Sequence, residues 1–152
     1  MIRDDIKAAL VSAMKGGDKA GTATIRLIQS SLKNRDIELR GGGAVPADDD
    51  LLVTEVLQKM IKQRRESVAL YEQGGRQELA DAEKAEVAVI EGFLPRQMSD
   101  EEAKAAIDAI VAETGASSSR DMGKVMAALK ERHAGQMDMS KASGLVKARL
   151  SA

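Results

Sequence analysis

Gly115-Ala116-Ser117-Ser118-Ser119-Arg120-Asp121-Met122-Gly123-Lys124-Val125-Met126 brings together a helix stop, a helix start and a glycine-lysine pair. Gly115 can supply the left-handed residue that closes an apolar helix. Ser118 or Ser119 can then accept from the free amides of the next helix, and Asp121 complements the positive end of its dipole. Met122, Val125, Met126 and Leu129 recur at the spacing of one buried face, leaving Arg120, Lys124 and Glu131 towards water. Gly123 is out of place, because glycine inside a helix costs about 1 kcal/mol against alanine. A close helix crossing, for instance against Gly144, or a bound backbone would account for it.

Working outward, Ser99-Asp100-Glu101-Glu102 has the form of a capping box, and Ala103, Ala106, Ile107, Ile110 and Val111 give its helix an apolar face. A last helix carries Ala142, Val146 and Leu150. Upstream of these three helices, Gly92-Phe93-Leu94-Pro95 marks a boundary, since proline disfavours helix at Leu94 and lacks a donor of its own. Residues 95–152 are therefore expected to form a three-helix domain, marginal by itself at that size.

Residues 1–94 carry the pattern of about four antiparallel helices. Ile2, Ile6, Ala9, Leu10 and Ala13 trace the first, which Gly16-Gly17 closes. Asp18 can cap a second from about Lys19 to Leu39, burying Ile25, Ile28, Leu32 and, at its end, Leu39, and showing Lys33, Asn34 and Arg35 to solvent. Gly41-Gly42-Gly43-Ala44-Val45-Pro46 breaks it; no Lys-Ser or Lys-Thr pair follows, so the triplet is a turn rather than a phosphate loop. Asp48-Asp49-Asp50 opens a third helix reaching Gln73, about 39 Å at 1.5 Å per residue. Its expected buried stripe is Val53, Val56, Leu57, Met60, Arg64, Ser67 and Tyr71. A fourth helix follows Gly74-Gly75 and presents Leu79, Ala82, Glu86, Val89 and Ile90. The predicted class is all α.

Composition narrows the function. The chain has 152 residues, 43% hydrophobic and 31% charged, which suits a folded globular protein. Its formal net charge of -1 excludes a general nucleic-acid coat, so any such contact must be local. Tyr71 and Phe93 are the only aromatic residues, which removes the stacking platforms that hold single-stranded bases. With no cysteine and a single histidine, His133, next to a helix end, no thiolate, metal or nucleophilic site is expected. Glu83 and Glu86, and Glu101 and Glu102, fit solvated faces and caps. The acidic Met1-Ile2-Arg3-Asp4-Asp5 opening leads into no apolar run, and no run approaches a membrane span, so a cytoplasmic protein is expected.

Across the chain, Arg26-Leu27-Ile28, Leu32-Lys33-Asn34 with Ile37-Glu38, Lys62-Gln63-Arg64 with Glu66-Ser67, Tyr71, Gly74-Gly75-Arg76, Leu79, and Leu94-Pro95 with Gln97-Met98 join the Met122-Gly123-Lys124 block in a pattern. That pattern resembles the YqeY family, whose fold also forms the tail domain of the GatB subunit of aspartyl/glutamyl-tRNA amidotransferase. The resemblance implies association with tRNA, because that tail domain contacts tRNA. It does not imply catalysis: amidotransferase activity, a carbon-nitrogen ligation with glutamine as amido donor, needs parts that a tail domain lacks. No cofactor or metal is expected.

From Ser117 onward seven basic residues, Arg120, Lys124, Lys130, Arg132, Lys141, Lys147 and Arg149, face three acids, whereas 95–116 is acidic. Weighed with the resemblance, this polarity points to Lys124, Arg120, Gly123, Lys130, Lys147 and Arg149 as the tRNA-binding set, acting on phosphate and shape. Where the family commonly has Gly-Lys-Ala-Asp-Gly, this chain has Gly135-Gln136-Met137-Asp138-Met139, and Gln136 cannot release a counterion as lysine would. Lys59, Lys62 and Arg65 are expected to pair within their helix with Glu55 and Glu66, and Arg64 and Arg76 to tie helices together. The leading expectation is a non-catalytic tRNA-binding accessory protein, with tRNA or a tRNA-processing protein as partner and no membrane. The alternative is a protein-interaction adaptor using an exposed face at Met137 and Met139.

Overall fold

The computed structural model describes residues 1–43, 45, 46 and 48–151. Ala44 of the expected glycine-rich break, Ala47, and Ala152 at the end of the expected second domain lie outside them. The described residues form helices joined by turns and loops, without a strand, and the chain divides into two compact units, Met1–Leu94 and Pro95–Ala152.

In the first unit, α1 (Ile2–Lys15) and α2 (Lys19–Arg40) are joined through Gly17, at φ 69°, and Asp18, whose carboxylate accepts from the Gly21 amide at 2.9 Å. Helix α3 (Asp49–Gln73) starts on Asp48, which accepts from Asp50 at 2.9 Å. Gly74 and Gly75 turn the chain into α4 (Gln77–Glu91). Helices α3 and α4 make the most extensive packing in the unit. Their antiparallel register is visible in three ion pairs: Arg64 with Glu86 at 2.9 Å, Arg65 with Glu91 at 2.6 Å, and Lys84 with Glu72 at 2.6 Å.

Ile6, Ile28, Val53, Leu57 and Ile90 form the centre of this core, with Leu52, Met60, Ile61 and Val87 around them. Two stripes differ from expectation. Helix α3 buries Leu52 and Ile61 beside Val53 and Leu57, a wider face because α1, α2 and α4 all pack on it. Helix α4 turns Ala80 and Val87 inward, and Ala82 is exposed. The Glu86 carboxylate bound to Arg64 sits at the edge of this face. Arg65 pairs across to α4 instead of with Glu66, because an acid on the packed neighbour lies within reach. Arg76 ties no helices together: it is largely exposed, at the start of α4, with Glu78 at 3.5 Å.

Arg3 joins three helices. Its Nε donates to Asp49 on α3, and Nη1 and Nη2 to Asp36 on α2, at 2.9 to 3.1 Å. The Ile2 amide adds a bond to Asp50 at 2.9 Å.

The second unit comprises α5 (Asp100–Thr114), a 3-10 turn at Ser119–Asp121, α6 (Met122–His133) and α7 (Met139–Ser151). Ser99 caps α5 by accepting from the Glu102 amide at 3.1 Å, while the Glu102 carboxylate takes Arg96 at 2.7 Å. Ile107, Ile110, Val125, Leu129 and Val146 fill the core. The leading segment is laced to the α6–α7 turn: the Met98 amide donates to the Gln136 carbonyl at 2.8 Å, and Gln97 Nε2 donates to the Gly135 carbonyl at 2.7 Å. No helix among the described residues is long and apolar enough to cross a membrane.

Candidate nucleic-acid interface

Gly115 closes α5 in the left-handed conformation, at φ 68°. The cap is Ser118 rather than Ser119: its hydroxyl accepts from the Arg120 amide, and Asp121 reaches back in a capping box. The Asp121 carboxylate accepts from the Ser117 amide at 3.0 Å and the Ser118 amide at 3.4 Å. These amides hold its pKa below the ordinary 3.8, and Lys124 contributes a smaller lowering. The loop that presents Arg120 and Lys124 is thus fixed by its own hydrogen bonds.

The seven cations divide into two groups. Three are held by acids of α5: Arg132 by Glu113 at 2.7 Å, Lys141 by Asp100 at 2.6 Å, and Arg149 by Asp108 at 2.8 Å. Hydrogen bonding to these cations lowers the pKa of Glu113 and Asp100. Among the described residues Arg120, Lys124, Lys130 and Lys147 have no ion pair and are exposed. Lys124 and Lys130 flank an outward face of α6 that also contains Gly123 and Ala127; Lys147 shares the outward face of α7 with Gly144. Of the expected set, Arg149 is therefore engaged within the protein. His133 ends α6, with Nδ1 3.3 Å from Gln136 Oε1.

A sequence profile described as Yqey-like protein matches residues 3–150. The chain belongs to the YqeY family. Similar proteins include an uncharacterised protein of Schizosaccharomyces pombe, 28% identical over 62% of this chain and 73% of that protein. Another is altered inheritance of mitochondria protein 41, mitochondrial, of Clavispora lusitaniae, 35% identical over 65% of this chain and 56% of that protein. A Pyrenophora tritici-repentis protein of the same name is 28% identical over 84% of this chain and 70% of that protein. The YqeY-family chain spans about half the length of the Clavispora relative and its Kluyveromyces lactis counterpart. These names overturn the cytoplasmic expectation: the relatives bearing them are called mitochondrial, and an opening without an apolar run does not decide a compartment.

Two further expectations are corrected in this YqeY-family chain. Gly123 serves no helix crossing: it is exposed, a Cβ there would meet nothing within 4 Å, and the same is true of Gly144. Gly123→Ala should therefore raise stability by about 0.5–1 kcal/mol, read as a higher urea midpoint at unchanged slope. A loss of stability would reinstate a packing role. Met137 is buried in the second core and Met139 packs against it, so the exposed methionine face does not exist. The bridge between Ala134 and Met137 turns that side chain inward, which spacing alone could not reveal.

Proposed function

We propose that this YqeY-family protein is a non-catalytic tRNA-binding accessory module whose second unit holds phosphate through Arg120, Lys124, Lys130 and Lys147. One observation carries the reading: among the described residues these four cations remain without an ion pair after the acids of α5 have taken Arg132, Lys141 and Arg149. The likeness to the tRNA-contacting tail domain of the amidotransferase supports RNA as the polyanion. Arg149 contributes only if phosphate displaces Asp108, and Gly123 offers close backbone approach beside Lys124.

The magnitudes distinguish four contacts from seven. At a slope of about -0.9 per neutralised phosphate, four give a log-log salt slope of about -3.6 for this surface, and seven give about -6. Replacing Lys124 and Lys130 by alanine should reduce the slope for bulk tRNA by about two and weaken binding roughly tenfold at 0.1 M salt, with helicity unchanged. Filter binding or anisotropy across a salt series checks this. Unchanged binding would remove these residues from the site. Absence of any tRNA binding, with nuclease-resistant capture of one protein, would favour the adaptor instead.

A further inference from the structure

Lys19, Arg26, Lys33 and Arg40 recur every seven residues along α2, from its first residue to its last. Seven residues advance a helix by about 10.5 Å and rotate it only about 20° short of two turns. The four side chains therefore form one narrow file about 32 Å long. All are exposed, and none has an ion pair among the described residues. Acids adjoining the file are occupied: Asp18 caps α2, and Asp36 is bound by Arg3.

A cleft adds a second observation. Lys7 of α1 and Gln29 and Lys33 of α2 line an opening of about 220 Å³ over Ile6 and Leu32, beside the Arg3–Asp36 pair. Two lysines without an ion pair among the described residues and an amide thus line an opening with an apolar floor, which Arg3 and Asp36 also line, and an anionic oxygen there has donor residues on both helices.

We infer that α2 carries a nucleic-acid contact of its own, a track for the phosphate backbone of an RNA stem, with one phosphate seated between Lys7 and Lys33. The choice of RNA rests on the tRNA reading above; the track itself rests on α2. A duplex stem fits better than single-stranded RNA because α2 has no aromatic residue on which a base could stack. It also fits better than an anionic membrane, because of the three residues interleaved with the cations, Ala23, Ser30 and Ile37, only Ile37 is a bulky apolar side chain, where a lipid-facing helix would carry an anchor at each.

The test uses the full chain and a blunt RNA hairpin stem of about 20 base pairs, long enough to span the file. Arg26→Gln with Lys33→Gln should reduce the salt slope by about two and weaken stem binding at least about tenfold at 0.1 M salt. Lys7→Gln should reduce the slope by about one, and far-UV circular dichroism should be unchanged for both. Stem binding that is insensitive to these changes but weakened by Lys124→Ala with Lys130→Ala would overturn the α2 track and leave the second-unit reading intact. Failure of the wild-type chain to bind the stem while it binds tRNA would also overturn the track. So would α2 variants that lose binding to phosphatidylserine-containing vesicles while keeping the stem, because they would assign the file to lipid.

Discussion

Leu129→Ala should weaken the second unit by about 2–5 kcal/mol while the first keeps its stability. Leu129 is fully buried against a core that includes Ile107, Ile110, Val125 and Val146. Removing its side chain loses transfer free energy and leaves a cavity, together about 2–5 kcal/mol. A unit the size of residues 95–152 has about 3–9 kcal/mol in total at 0.05–0.15 kcal/mol per residue. The loss therefore consumes most of what this unit has, whereas the same deletion in a larger body would be absorbed. Hydrogen exchange reads the two units separately: α5, α6 and α7 should lose amide protection while α1 to α4 retain theirs. Protection retained in α5 to α7 would mean that the unit draws stability from outside its own core.

The Arg3 junction is the second large effect. Its guanidinium, 29% exposed, binds Asp36 and Asp49, and these bonds raise its pKa above the ordinary value. It is charged at every ordinary pH in the folded and unfolded chain alike, so the guanidinium itself does not titrate there. Arg3→Gln removes charge-assisted bonds to both acids and leaves two carboxylates facing each other. Water reaches these groups, so the cost lies between an exposed and a dry pair, at about 1–2 kcal/mol. Adding Asp36→Asn should recover part of it by relieving that repulsion, a positive coupling in a double-mutant cycle measured by urea unfolding. A purely additive pair would show that Arg3 acts through packing of its stem.

How much the sequence could disclose varied with the range of the interaction. The helical class followed from 3.6-residue periodicity and from local signals such as Gly115 and Ser99, whose partners lie within a turn. Ser118 could not be separated from Ser119 because either hydroxyl is within reach of the same amides. The inward turn of Ala80 was hidden because alanine gives little hydropathic contrast with Leu79 and Ala82. The pairing of Arg132, Lys141 and Arg149 depends on α5 lying beside α6 and α7, which no charge count contains. Met137 looked exposed because its burial comes from a turn without helical period. The seven-residue spacing of Lys19, Arg26, Lys33 and Arg40 was legible all along, but a charged helix face is by default a solvated one. The file is distinguished by its surroundings, with Asp18 capping α2, Asp36 held by Arg3 and a cleft at Lys7 and Lys33, and these are properties of the folded unit.

The lacing of Gln97 and Met98 to Gly135 and Gln136 fixes where this chain can be cut or lengthened. A fragment beginning at Ser99 would keep every helix of the second unit yet leave two carbonyls of its α6–α7 turn without their donors. Extra residues inserted between Leu94 and Pro95 would leave the lace and the cap of α5 in register. The same residues inserted between Met98 and Ser99 would pull the lace out of register with the cap of α5. The working edge of the second unit is therefore Pro95, four residues before its first cap.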